Sequence, residues 1–224
     1  MPKGSHYASA YLPDLAPVSR DRAAVLRAIA GMTPLRQHSY LEVDRCLPRA
    51  LLTAPRFAGR ILVDHRGNAV FPHADRDGPC GFEVKNRGFT GFPRGGEKAL
   101  WFSGARRTDT ALVLAESAID ALSHAVLFPN QDARYASFAG GMNPTQPGLI
   151  AAAVARLNPH STVYLALDND PGGIAFACAG ADAEAVTLSA ASGVVEAIHR
   201  AALIARLLGE AMHRETLPAA RPTP

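Results

Sequence analysis

Residues 163–173 read VYLALDNDPGG, and this stretch decides the fold class of the second half of the chain. The apolar run from Val163 to Leu167 predicts a strand that is buried on both faces. The strand runs into two aspartates, Asp168 and Asp170, with a single asparagine between them. Side chains two residues apart in an extended segment point to the same side, so we expect the two carboxylates to converge. Folding alone gives little reason to place two like charges there.

Strands and helices alternate around this stretch. In chain order we predict a strand at 110–116, a helix at 117–127, strands at 133–141 and 161–168, a helix at 145–157, a strand at 184–189 and an amphipathic helix at 193–212. Short connections between such elements favour a parallel sheet that carries helices on both faces. The fold class predicted for this part of the chain is therefore α/β.

The earlier part of the chain has a different pattern. Short apolar runs broken by Asp-His-Arg-Gly-Asn and Asp-Arg-Asp-Gly predict an antiparallel meander. A helix before it is expected to start at Ser19 as its N-cap and to end at Gly31. Residues 38–54 predict a short helix, a break near Cys46 and a second helix with Pro48 in its first turn. This part is therefore predicted to be a small α+β module.

The predicted organisation has four segments. They are a loose N-terminal arm at 1–18, a small basic α+β module at 19–107, an α/β domain at 108–214 and a frayed tail at 215–224. With 224 residues, 48% of them hydrophobic and 19% charged, the chain has the composition of a globular protein.

Composition also excludes several classes. The three cysteines form no Cys-x-x-Cys pair, so neither a zinc knuckle nor a disulfide framework is indicated. The N-terminus lacks the apolar core of a signal peptide. No apolar stretch reaches the roughly 18 residues that a membrane span needs. We therefore expect a cytoplasmic protein that does not act in a membrane.

Positive charge is concentrated in one segment. Residues 56–107 hold ten Lys and Arg against five Asp and Glu, a net charge of +5, whereas the whole chain carries +3. This excess fits either a solvated surface or a surface that faces a polyanion. The candidates for phosphate contacts are Lys85, Arg87, Arg94 and Lys98. Trp101 and Phe102 fit either base stacking or a buried strand.

Glu116 and the two aspartates follow strands of the predicted parallel sheet. Ligands bind such sheets at the carboxyl ends of their strands. If the two strands are neighbours, Glu116 joins Asp168 and Asp170, and a hard divalent cation such as Mg²⁺ relieves their repulsion. The same residues also fit simpler roles. Asp-Asn-Asp-Pro-Gly-Gly is good turn and helix-cap chemistry, and an acid at a helix start favours the helix dipole.

The paired motifs LVLAESAIDAL (112–122) and VYLALDNDPGG resemble the Toprim domain, which bacterial replicative primases, topoisomerases and small nucleases share. The resemblance implies that Glu116, Asp168 and Asp170 are catalytic and bind Mg²⁺, with Mn²⁺ as a substitute. It places Asp120 in support of these ligands. It also implies that the loop at Gly140 and Gly141 approaches a phosphate closely.

The preceding segment is similar to an uncharacterised module found before Toprim domains in plasmid and mobile-element proteins. The positions that carry this similarity are Gly59-Arg60-Ile61, Gly81-Phe82 and Lys98. The similarity implies a nucleic-acid partner, with DNA favoured over RNA. It further implies a helicase, a relaxase or another replication or mobilisation protein as a partner.

The sequence departs from that pattern after Asp170. A short Gly- and Ala-rich stretch replaces a longer charged helix, and residues 171–193 contain only two acids, Asp182 and Glu184. Three functions stay open. The first is a Mg²⁺-dependent nucleotidyl transferase or strand-cleaving enzyme of the primase or mobilisation type. The second is a non-catalytic nucleic-acid-binding accessory with a degenerate site. The third is a small Toprim nuclease.

Overall fold

The structure is a computed structural model that describes residues 19–168, 189–191 and 194–200. The described helices are α1 (Arg22–Ala30), α2 (Arg49–Leu52), α3 (Ala118–Leu127) and α4 (Gln146–Val154), with one π-helical turn at Tyr40–Asp44. The strands before residue 108 are β1 (Thr33–Pro34), β2 (Leu62–Val63), β3 (Ala69–Asp75), β4 (Gly78–Asn86), β5 (Phe89–Gly91) and β6 (Trp101–Phe102). Those after it are β7 (Ala111–Ala115), β8 (Ala133–Ser137), β9 (Thr162–Asp168), β10 (Ser189–Ala191) and β11 (Val194–Arg200).

Strands β1 to β5 form an antiparallel sheet in simple chain order. The predicted meander is therefore confirmed. Helix α1 covers one face of this sheet, where Val25 packs with Val70 and Phe82. The predicted N-cap Ser19 is wrong, because Asp21 takes that role and its carboxylate accepts the N–H of Ala24 at 2.8 Å.

The remaining described strands form a second sheet in the order β10-β11-β9-β7-β8-β6. Its three central strands, β9, β7 and β8, are parallel, whereas β6 and β11 pair antiparallel at its flanks. Helix α3 packs on one face through Ile119 and Leu122. Helix α4 packs on the other face through Ile150 and Val154. The predicted α/β architecture, with helices on both faces, is confirmed.

The helix predicted at 193–212 is wrong for its first part. Residues 194–200 are strand β11, which pairs along its whole length with β9, from Val194 opposite Asp168 to Arg200 opposite Thr162. The segment VVEAIHR is rich in β-branched residues, which favour strands, and its apolar spacing fits both periods. An available edge of β9 decides between them. Residues 201–212 lie outside the described part of the chain.

The two sheets share one hydrophobic core. Phe71 of the first sheet packs with Trp101, Val113 and Leu122 of the second. Trp101 is fully buried, and its indole N–H donates to the carbonyl of Arg60 at 2.7 Å. Base stacking by Trp101 is therefore excluded. The boundary predicted at 107/108 stays a prediction, and β6, which precedes it, pairs with β8.

His73 lies fully buried on β3 and gives stability a pH dependence. Its Nδ1–H donates to the carbonyl of Ala99 at 2.8 Å, which fixes the neutral tautomer. Burial is the main cause that lowers the pKa of His73 from 6.5 to about 4. The unfolded chain thus takes up the proton first as the pH falls. We expect the wild type to lose roughly 3 kcal/mol of unfolding free energy between pH 7 and 4 through this group.

Urea unfolding of the wild type and of His73→Asn at several pH values measures this contribution. The asparagine amide can still donate to Ala99, and other titrating groups cancel in the difference. The wild type should lose more stability than the variant between pH 6.5 and 4. Parallel pH profiles for the two proteins would show that His73 does not contribute.

Among the residues that the structure describes, no helix combines the length and the apolar character needed to cross a membrane.

Candidate active site

Two acidic positions meet at one edge of the second sheet. Strands β7 and β9 are parallel neighbours, with Ala115 opposite Ala166. Glu116 follows β7 directly, and β9 ends two residues later at Asp168. Neighbouring strands lie about 4.8 Å apart, so the backbones of Glu116 and Asp168 reach the same edge side by side. Asp170 lies outside the described residues.

The loop after β8 lies against the end of β7. The N–H of Gly140 donates to the carbonyl of Glu116 at 2.9 Å, and the N–H of Phe138 donates to the carbonyl of Ala115 at 3.4 Å. Ala139 and Gly140 both have left-handed backbones, with φ values of 59° and 74°. A left-handed alanine costs of order 1 kcal/mol or more and is held only where its surroundings impose it. The loop is thus fixed beside Glu116, which is itself half-buried.

Asp120 caps the helix that starts behind Glu116. Its Oδ2 accepts the backbone N–H of Ser117 at 3.1 Å and the hydroxyl of Ser117 at 2.6 Å. The Ser117 hydroxyl in turn accepts the N–H of Asp120 at 3.3 Å, which completes a capping box. Asp120 therefore holds the residue next to Glu116, consistent with the supporting position predicted for it.

A short segment before β6 ties the first sheet to this loop. The ammonium of Lys98 donates to the carbonyl of Gly141, and the Lys98 carbonyl accepts the Asn143 amide at 2.7 Å. The amide of Gln146, which is fully buried, donates to Ala99 at 2.6 Å and to Phe138 at 2.8 Å. Burial lowers the pKa of Lys98. The predicted phosphate contact Lys98 and the predicted loop glycines thus lie together.

Sequence comparison matches both parts of this arrangement. Residues 113–192 match the family described as Toprim-like, which covers Glu116, the loop after β8 and all of β9. This segment is a Toprim-like domain. Residues 39–109 match a family described as a protein of unknown function, DUF3991. The resemblance predicted from the sequence is therefore confirmed for both segments. No curated protein matched the chain.

Toprim-like domains belong to a superfamily of metal-dependent enzymes and binding proteins that act on nucleic acids. The residues at the edge of this Toprim-like domain fit a divalent cation in their chemistry. Glu116 and Asp168 stand at the ends of adjacent strands, and carboxylate oxygens are the ligands that hard cations such as Mg²⁺ prefer. When bound, such an ion neutralises charge on a phosphate oxygen.

Glu83 is a member of this region that sequence reasoning missed. It lies on β4 with 3% of its surface exposed, and its Oε1 pairs with the ammonium of Lys85 at 2.9 Å. Its other carboxylate oxygen is buried without a hydrogen-bond partner among the described residues. Burial raises the pKa of Glu83, the ion pair with Lys85 opposes the rise, and Asp120 adds to it. A buried carboxyl of the DUF3991 segment thus faces the first turn of α3.

The alternation Phe82-Glu83-Val84-Lys85 gave a misleading signal. It indicates a strand with one apolar and one solvated face. In the structure the face that carries Glu83 is covered, because its neighbour Phe71 packs in the core shared with the Toprim-like domain. A signal in the sequence that would have identified Glu83 is absent.

The other predicted phosphate contacts differ in their availability. Arg87 is paired with Asp44 through two hydrogen bonds of 2.8 and 2.6 Å, although most of its side chain is exposed. Lys85 is held by Glu83. Arg94 is exposed and forms no ion pair with the residues that the structure describes. Arg94 is therefore the cation of this group that a phosphate reaches at least cost.

A second acidic group, at Asp75, Cys80 and Glu97, does not have the properties of a metal site. Its potential ligand atoms lie within 4.8 Å of one another. However, Asp75 is held by two hydrogen bonds from Arg22, each of 2.9 Å, and Glu97 pairs with Arg20. Burial, followed by the charge of Asp75, raises the pKa of the Cys80 thiol to about 11. The thiol is therefore protonated at neutral pH, and the carboxylates already have cationic partners.

Proposed function

We propose that the chain is a Mg²⁺-dependent enzyme that acts on nucleic-acid phosphodiesters, by nucleotidyl transfer or strand cleavage of the primase or mobilisation type. The observation that carries the proposal is the register of β7 and β9, which brings Glu116 and Asp168 to one edge of the Toprim-like domain. Mn²⁺ is expected to substitute for Mg²⁺. Asp170 is proposed as a third ligand from the sequence.

Each group at this edge has a proposed task. Glu116 stands next to the reacting phosphate and takes or holds a proton there. Gly140, which has no side chain, lets the loop backbone approach the phosphate. Lys98 and Arg94 attract the polyanion to the edge. The chemistry thus takes place between the acidic edge of the Toprim-like domain and the basic surface of the preceding segment.

A non-catalytic accessory role is the second candidate, favoured by the sequence after Asp170. Residues 171–193 hold only Asp182 and Glu184 as acids, fewer than a charged catalytic helix would supply. This candidate predicts nucleic-acid binding that survives the loss of Glu116, without turnover in the wild type. A helicase or relaxase partner would then supply the activity.

Assays of the wild type with single-stranded and supercoiled DNA, and with RNA, separate these functions. Each substrate is incubated with Mg²⁺, Mn²⁺ or EDTA, with and without ribonucleotides. Primer synthesis requires ribonucleotides, whereas cleavage does not. We expect turnover that depends on the metal in at least one arm. Binding without turnover in every arm would overturn the enzymatic proposal in favour of the accessory role.

A further inference from the structure

A small groove on the far side of β8 is lined by arginines. The cavity has a volume of about 60 Å³ and is bordered by the turn after β3, the edge strand β6, strand β8 and helix α4. Its cationic lining consists of Arg76, Arg134 and Arg156, and its aromatic wall is Phe102. Arg134 is the second residue of β8, so it lies near the end of that strand opposite to the loop at Gly140.

Arg134 is a half-buried cation without a carboxylate of its own. Its guanidinium carbon lies 4.4 Å from the centre of the Phe102 ring. Its Nε is buried and has no hydrogen-bond partner among the described residues. Burial lowers the pKa of Arg134, Asp109 opposes this, and the charges of Arg60 and Arg156 add to it. An unpaired donor on a desolvated cation is costly, and an anion in the groove would satisfy it.

The carboxylates near the groove are already engaged. Asp109 forms its ion pair with Arg56 at 2.8 Å, and Asp75 accepts two hydrogen bonds from Arg22. Arg76 and Arg156 are exposed, and neither forms an ion pair within the described part of the chain. The groove therefore presents three positive charges without a counter-charge of its own.

We propose that this groove binds a backbone phosphate of the nucleic acid, as a second contact point separate from the acidic edge. The volume is about that of two water molecules, so it suits a phosphate group rather than a base. Arginine forks match phosphate oxygens, and the Nε of Arg134 supplies a donor that no protein group uses. The proposal rests on the proposed action on nucleic acid and extends it to the opposite end of β8.

The experiment measures binding of a fluorescein-labelled single-stranded oligonucleotide by anisotropy over a range of KCl concentrations. The test variant is the double substitution Arg76→Gln/Arg156→Gln, which affects exposed side chains only. The matched control is Arg27→Gln/Arg36→Gln, which removes two exposed arginines elsewhere. If the groove holds a phosphate, the slope of log K against log salt should flatten by about 1.4 in the test variant. The control variant should keep the wild-type slope.

Two further arms complete the test. Arg134→Lys keeps the charge but loses the planar fork, so it should also weaken oligonucleotide binding while thermal unfolding stays cooperative. Titration with inorganic phosphate asks whether the groove takes the free ion instead. Phosphate-dependent stabilisation that the test variant loses, combined with an unchanged oligonucleotide slope, would overturn the nucleic-acid proposal.

Failure of the groove and failure of the proposed function give different results. If the wild type binds the oligonucleotide, and test and control variants have equal slopes, the groove proposal is wrong and the acidic edge is unaffected. If the wild type binds no oligonucleotide even at low salt, the proposed function itself is wrong.

Discussion

Substituting Asp109 with asparagine should lower the free energy of unfolding by about 3–5 kcal/mol. Asp109 and Arg56 are 5% and 7% exposed, and both oxygens of the carboxylate lie within 2.9 Å of the guanidinium. The guanidinium also donates to the carbonyls of Gly104 and Gln131, which joins the loop after α2 to the second sheet. Asparagine removes the counter-charge and leaves Arg56 buried and unpaired.

Urea unfolding of the wild type, Asp109→Asn and Arg56→Met/Asp109→Leu measures this effect. The double variant should recover most of the loss, because it removes both charges and keeps a similar volume. Asp44→Asn is the matched control, since the pair of Asp44 with Arg87 is largely exposed and worth at most about 1 kcal/mol. A loss below 1 kcal/mol for Asp109→Asn would show that the pair does not hold the two sheets together.

Substituting Glu116 with glutamine should lower turnover by at least about 100-fold, if the proposed chemistry is correct. Glutamine keeps the size and hydrogen-bonding reach of the side chain but removes its charge and its basicity. The backbone carbonyl that accepts from Gly140 is unchanged, so the loop should keep its position. We expect the fold and the affinity for nucleic acid to stay close to those of the wild type.

The matched control for Glu116→Gln is Asp132→Asn. Asp132 is exposed and precedes β8, so it lies at the opposite edge of the same sheet, and the substitution changes the charge by the same amount. Initial rates with saturating Mg²⁺ compare the two variants. Equal losses in both would indicate a general effect of charge. Retained activity in Glu116→Gln would remove Glu116 from the chemistry.

The sequence predicted the parts of the fold that local pattern determines. The apolar runs that end at Glu116 and Asp168 predicted two buried strands, and their parallel pairing follows from the alternation with helices. Strand β11 escaped prediction because its residues fit a helical and an extended period equally well. The free edge of β9, a tertiary feature, selects the strand.

Charge counting predicted a basic segment but could not rank its members. Arg56 and Arg94 contribute equally to the sum, yet Arg56 is buried in an ion pair and Arg94 is exposed. Glu83 likewise counts as one acid, although burial makes it part of the interface with the Toprim-like domain. Such differences depend on which face of a strand another element covers, and a single sequence does not encode that locally.

Calorimetric titration with Mn²⁺ tests the central claim most directly. The proteins are the wild type, Glu116→Gln, Asp168→Asn and the control Asp132→Asn, each with and without a single-stranded oligonucleotide. The account predicts saturable binding in the wild type and the control, at least with the oligonucleotide present, and its loss in the other two. Binding that survives in both Glu116→Gln and Asp168→Asn, or that is absent from the wild type under both conditions, would contradict a metal site at this edge.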